Sequence, residues 1–246
     1  MLGGRSAAEE KARQQIHRLE RDARLVIRLL SEELKQQPLE SPTGDHGNYF
    51  AVTGDLWRKL VEHCLNVALL LAWGGFGSVI VVHRAAYEVA INLIYLIKQG
   101  NKIKNAVLFR TRSLLEVAEV LHDQPSGTEA RQILGKIPRQ ILDELEKYKK
   151  AGRPWSGKSI KQMAEAVGVV GHDRLYSLQS WEAHGRIAGY DLEELKAEGD
   201  LRRLKFEAKR KPEDVEALAS NAWRILLRTY ETVAQDWLDK VPPLTT

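Results

Sequence analysis

One stretch sets the terms for the rest of the chain: residues 79–96, VIVVHRAAYEVAINLIYL, strongly apolar yet carrying His83, Arg84 and Glu88 near its middle. Val79, Val82, Ala86, Val89, Ala90, Leu93 and Leu96 recur at helical spacing. Apolar residues occupy the other sides too, so the stretch predicts a helix buried nearly all round. Such a helix needs neighbours to cover it. Its charges need partners as well, because charged groups are rarely fully buried unless paired. Arg84 and Glu88 stand four apart on one face, so each can meet the other or a group arriving from elsewhere.

The neighbours are visible in the pattern. Residues 7–36 carry an apolar stripe of Ile16, Leu19, Ala23, Val26, Leu30 and Leu34, with Arg18, Arg21, Arg24 and Arg28 largely outside it. This stripe can pack on the domain core or on a second subunit. Pro38 and the following ESPTGDHGN predict a loop, and a second helix is expected from about residue 55 to 73. The central helix should end near Gly100 and Asn101. Further helices are expected over 103–122, over 128–150 with a bend near Gly135 and Pro138, and over 158–167. A short helix over 173–183 and a less regular basic stretch over 186–211 follow. Pro212 suits the first turn of a last helix reaching about Asp239. No stretch alternates with period two. The expected fold is therefore all-α: a single helical bundle over residues 54–240, with an irregular basic insertion before the last helix and an amphipathic N-terminal helix over 1–37.

Residues 65–82 contain no charge and approach the length of a membrane span. Gly74, Gly75 and Gly77 cluster in the middle of the run, which reads more simply as the turn of a helical hairpin. We expect no membrane contact. The one cysteine, Cys64, excludes an internal disulfide, and the N-terminus has no signal-peptide core, so the expected location is cytoplasmic. A net charge of +4 permits a polyanionic partner without requiring one. The basic residues that could follow a phosphate backbone are Arg202, Arg203, Lys205, Lys209, Arg210 and Lys211, with Arg153, Lys158 and Lys161 earlier. Charge runs of this kind also serve simply as solvated surface.

The chemistry-bearing candidates lie late in the chain. Tyr176, Ser180 and His184 fall at successive steps of four, a stripe on one side of a short helix. The hydroxyls can donate and accept hydrogen bonds, and His184 can exchange a proton near neutral pH. An arginine beside them would supply charge for a phosphate. The structural reading of the same residues is a polar network that fixes helix register, with His184 and Gly185 simply ending a helix. Arg112 and Glu116 repeat the spacing of Arg84 and Glu88 and read as a helical ion pair. Glu119 and His122 match half of a di-iron bundle motif whose other half is missing, and no histidine or cysteine spacing suits zinc. No phosphate-binding glycine loop or nucleophile elbow occurs. No metal and no cofactor are expected.

The HRAAYE motif with Arg84 and Glu88, followed much later by LYSLQSWEAHG with Tyr176, Ser180, His184 and Gly185, resembles a bacterial all-helical family of unknown function. That family is similar in outline to the HEPN helical domains, which are often dimeric, metal-independent ribonucleases of toxin and antiphage systems. The resemblance implies a HEPN-like bundle and a site for RNA cleavage. HEPN nucleases place an arginine a few residues before the histidine on the same helix. Here Arg174 is farther away and Arg186 follows His184, so the resemblance assigns the cationic role to Arg84 from another helix. Two functions remain open. One is an antiphage or toxin-type effector acting on RNA, a homo-oligomer with Arg84 and His184 central and Glu88, Tyr176 and Ser180 in support. The other is a non-catalytic module that binds a protein partner from the same operon, with the N-terminal helix as contact element.

Overall fold

Gly74 takes φ of +76°, a left-handed conformation that glycine adopts without strain, and it ends a helix inside the long uncharged run. The charge-free residues 65–82 are therefore shared between two helices and form no single span. The computed structural model describes residues 6–36, 44–74, 76–169 and 211–244. Among these there are eight helices and no strand, so the fold is all-α. They are α1 (Ala7–Gln36), α2 (Gly44–Ala72), α3 (Phe76–Lys98), α4 (Lys102–Val120), α5 (Pro125–Leu134), α6 (Arg139–Lys150), α7 (Ile160–Ala166) and α8 (Pro212–Leu238). Residues 173–183 and most of the basic stretch 186–211, both read above from sequence, lie outside the described residues.

The chain divides into two compact units, each assembled from separated segments. The first takes Met1–Glu33, Lys59–Ala90 and Gly171–Thr246. Its α1 buries Ala12, Ile16, Leu19, Ala23, Val26 and Leu30, so the N-terminal stripe packs on the chain's own core. Asp22 lies beside this stripe and is also buried. Its Oδ2 accepts a hydrogen bond of 2.8 Å from Trp223 Nε1 of α8, and its Oδ1 pairs with Arg21 Nε at 2.9 Å. The Arg18 guanidinium lies 3.7 Å above the centre of the Trp223 ring. Lys11 with Glu216, at 2.9 Å, and Glu33 with Lys240 add ion pairs between α1 and the last helix and its tail. Cys64 of α2 is fully buried and directs its thiol toward the Ala222 carbonyl, 3.9 Å away. Past α8, the buried Tyr230 hydroxyl donates to the Pro242 carbonyl at 2.9 Å, which ties down the tail.

The second unit takes Leu34–Arg58 and Ile91–Val170. Here α2 starts at Gly44, where GDHGN suggests a loop. Burial of Tyr49, Val52, Leu56 and Trp57 on one side of those first turns outweighs the poor helix propensity of Gly44 and Gly47. Gly100, at φ of +61°, follows α3, and Asn101 serves the next helix: its side chain accepts from the Ile103 and Lys104 backbone N–H groups, each at 3.1 Å. The expected bent helix over 128–150 is two helices, because Pro138 lacks the N–H that would continue the ladder. The first of the two starts at Pro125, ahead of the expected start at 128. Trp155 is the anchor of this unit: it is buried, donates from Nε1 to Asn92 Oδ1 at 2.6 Å, and meets Tyr95 and Phe109 edge-on at 5.9 and 5.5 Å. Ser159 caps α7 in a reciprocal box with Gln162.

Two tests follow. Gly127 of α5 is pressed on the end of α4, and a Cβ added there would lie 1.9 Å from the Leu121 carbonyl oxygen. Propensity alone would make Gly127→Ala stabilising by about 1 kcal/mol. We expect the opposite sign, a loss of roughly 2–4 kcal/mol in urea unfolding, because backbone must move. The second test concerns Cys64. Burial pushes its thiol up from 9.0 to about 12, so the folded chain keeps the proton that the unfolded chain releases. Stability from this group is complete below about pH 9 and is lost as the pH climbs toward 12, by about 1.4 kcal/mol per pH unit. Urea midpoints measured between about pH 8 and 10 should fall more steeply for the wild type than for Cys64→Ala.

Candidate functional site

Exposure along α3 is graded. Val81 is 53% exposed near its start, whereas Ala90, Ile91, Leu93, Ile94 and Leu96 are fully covered. The expectation of burial nearly all round therefore holds for the second half of the helix and fails for the first turns. Among the described residues, Ser78–Lys98 is the one helix long and apolar enough to cross a membrane, with mean hydropathy 1.5 and 56% of the stretch buried. Such a composition also belongs to the core helix of a soluble bundle.

Arg84 and Glu88 sit where this gradient turns. Arg84 Nε lies 3.0 Å from Glu88 Oε1, and the two side chains are 20% and 35% exposed. The pair is thus made within one helical turn of a mostly apolar helix. The contact through Nε orients the planar guanidinium along the helix. His83, the neighbour of Arg84 in sequence, is 1% exposed. Of the residues expected at the site, Arg84 and Glu88 are brought together, and Tyr176, Ser180 and His184 lie outside the described residues.

Arg112 and Glu116 of α4 form the same contact at 2.8 Å, with Glu116 57% exposed, and so make a surface ion pair. Glu119 and His122 engage different groups. Glu119 pairs with Lys149 of α6 at 2.9 Å, which holds its carboxyl below the usual range, and His122 meets Asp123 at 2.8 Å. Arg153 donates to Gln162 Oε1 at 2.6 Å, and the Lys158 ammonium lies 5.4 Å from the Tyr95 ring centre. Asp22 is the charged residue that pattern reading passed over. A signal existed, since Asp22 stands three after Leu19 and four before Val26 and so falls on the apolar stripe.

The model of a family of unknown function, DUF5677, matches residues 50–200. The chain belongs to this family. The DUF5677 match takes in Arg84 and Glu88 as well as Tyr176, Ser180 and His184, and leaves α1 and α8 outside. No curated protein and no solved structure matches the chain.

Because the Arg84–Glu88 pair is the more shielded of the two, its members should depend on each other more strongly. A double-mutant cycle with Arg84→Met and Glu88→Leu should give a coupling of roughly 1–2 kcal/mol. The same cycle at Arg112 and Glu116 should give about 0.3–0.5 kcal/mol. Equal values would mean that the position of Arg84 in α3 confers nothing special.

Proposed function

We propose that this DUF5677 chain is an RNA-directed effector of a bacterial toxin or antiphage system, HEPN-like in outline, cytoplasmic and homo-oligomeric, that cleaves RNA without a metal. The observation that supports this reading is the Arg84 guanidinium, one-fifth exposed in an apolar helix and oriented by Glu88 at 3.0 Å. In the proposed reaction an RNA 2′-hydroxyl attacks the adjacent phosphorus. His184 takes the hydroxyl proton and a proton is returned to the departing 5′-oxygen, so the chain is cut with a cyclic phosphate on one side and a free hydroxyl on the other. Arg84 stabilises the extra negative charge on the phosphoryl oxygens, and Tyr176 and Ser180 position the strand.

A second reading has its own support. Trp73 is 79% exposed at the turn after α2, with Leu69 at 47% and Val81 at 53%. An exposed tryptophan four residues from an exposed leucine is a feature of protein-binding surfaces. The chain would then be a non-catalytic module for a partner from the same operon, met at this tip, since the apolar stripe of α1 is already covered.

Expression in a bacterium separates the two. The wild type should slow growth and fragment cellular RNA, and purified protein should cut RNA in the presence of a chelator. His184→Ala and Arg84→Gln should each lower cleavage by about two to three orders of magnitude while retaining the wild-type circular dichroism. Intact RNA with the wild type, together with partner capture lost in Trp73→Ser, would establish the binding module instead.

A further inference from the structure

Residues 147–161, KYKKAGRPWSGKSIK, hold six cations and no acid. They run from the last turn of α6 through a loop into α7 and belong wholly to the second unit. The loop is firmly built. Trp155 plugs it into the core, Arg153 N–H donates to the Tyr148 carbonyl at 2.8 Å, and Gly157 N–H donates to the Pro154 carbonyl at 2.9 Å. Gly152 and Gly157 supply its two left-handed turns, at φ of +64° and +69°. Gly157 also lies so close to the Tyr148 ring that a Cβ would come within 2.7 Å of it. The cations on this frame are all exposed.

What their charges meet divides them into two sets. Lys149, Lys150 and Lys161 face Glu119, Glu146 and Glu165, respectively. The others have no carboxylate within ion-pair distance among the described residues. Arg153 is held by the neutral Gln162 amide, Lys158 lies over the Tyr95 ring, and Lys147 stands on the exposed side of the last turn of α6. A helix C-terminus accounts for one or two lysines through its dipole, but not for a loop that continues the run. A frame ordered in advance, with three cations that close no ion pair on its outer side (Lys147 still acts on Glu144 through space), suits a polyanion, because little conformational freedom is lost on binding. No exposed large apolar residue lies within the strap itself, and the nearest in the chain to a strap partner are Val117 and Val120, either side of Glu119 on α4.

We propose that the 147–161 strap is a phosphate track for single-stranded RNA, with Lys147, Arg153 and Lys158 neutralising successive backbone phosphates. This rests on the RNA reading above and names the surface that holds the strand, independent of the residues that would cut it. Tyr148 and Trp155 serve the frame, so the track reads backbone and carries no base preference of its own.

The test is fluorescence anisotropy of the full chain with a labelled 2′-O-methyl RNA, which offers no 2′-hydroxyl for attack and so reports binding alone. Each phosphate contact on a single strand contributes about −0.7 to the slope of log affinity against log salt. Lys147→Gln/Arg153→Gln/Lys158→Gln should make the slope shallower by about 2 and weaken binding at low salt by roughly one to two orders of magnitude. Lys147→Gln/Lys158→Gln, which keeps the Arg153–Gln162 hydrogen bond, should show about two-thirds of the slope change. Removing equal charge from α1, by Arg13→Gln/Arg24→Gln/Arg28→Gln, should leave the slope nearly as it was. Equal losses in the α1 and strap variants would overturn the track in favour of a net-charge effect. So would wild-type protein that ignores RNA yet sediments with vesicles containing phosphatidylserine. Strap-dependent binding without any cleavage of ordinary RNA would leave the track standing and remove the nuclease reading. Cleavage with a slope unmoved by the strap variants would do the reverse.

Discussion

Covering α3 is the constraint to which the rest of the structure answers. Each fully buried leucine or isoleucine in its second half contributes roughly 1.5–3 kcal/mol relative to an exposed one. Ile91, Leu93, Ile94 and Leu96 all reach that limit, leaving no room for a charge. Arg84 lies earlier, where Val81 still meets water, and finds its counter-ion on the next turn. The charge is therefore placed where desolvation is partial. A short-range partner can offset partial desolvation, whereas a fully buried pair needs further hydrogen bonds.

A different solution joins α1 to α8. Asp22 is almost wholly shielded, and it is matched by a neutral donor, Trp223 Nε1, together with an adjacent arginine. A hydrogen bond to a charged acceptor contributes about 1.5–3 kcal/mol, against roughly 0.5–1.5 for a neutral one, and leaving either group unpaired is more damaging than the bond itself suggests. The many exposed pairs along α1 and α6, such as Arg24 with Glu20 and Lys150 with Glu146, contribute little by comparison. Between these helices Asp22 with Trp223, its ring capped by Arg18, is thus the buried polar contact beside the apolar stripe of α1, and the surface charge is secondary.

What sequence could show follows from range. The helix Ala7–Gln36 and the last helix from Pro212 lie where stripe and proline place them, because periodicity and end signals are local. The Arg84–Glu88 pair was legible for the same reason. The start of α2 was not, since Gly44 and Gly47 speak for a loop and only the burial of Tyr49 and Val52 reverses that. At Gly135–Pro138 the sequence reads as a bend, because the pattern of apolar residues continues on both sides, whereas the chain makes two helices there. Asp22 and Trp223 are 201 positions apart, and no local pattern reports such a meeting. Of the proposed site, the part carried on α3 was readable. The proposed pairing of Arg84 with His184 would be a long-range matter of the same kind, and His184 falls outside the described residues.

The threading of the chain has a further consequence. Each unit is built from non-adjacent segments, and both α2 and α3 begin in one unit and finish in the other. Neither unit is a cassette that recombination could lift out, duplicate or trade as a continuous block. Nor does the region recognised as DUF5677 coincide with a folding boundary, since cutting at its edges would strip Asp22 and Trp223 from the core they close. Change in such a lineage should accumulate by substitution and by lengthening of loops, with the order of the helices inherited whole.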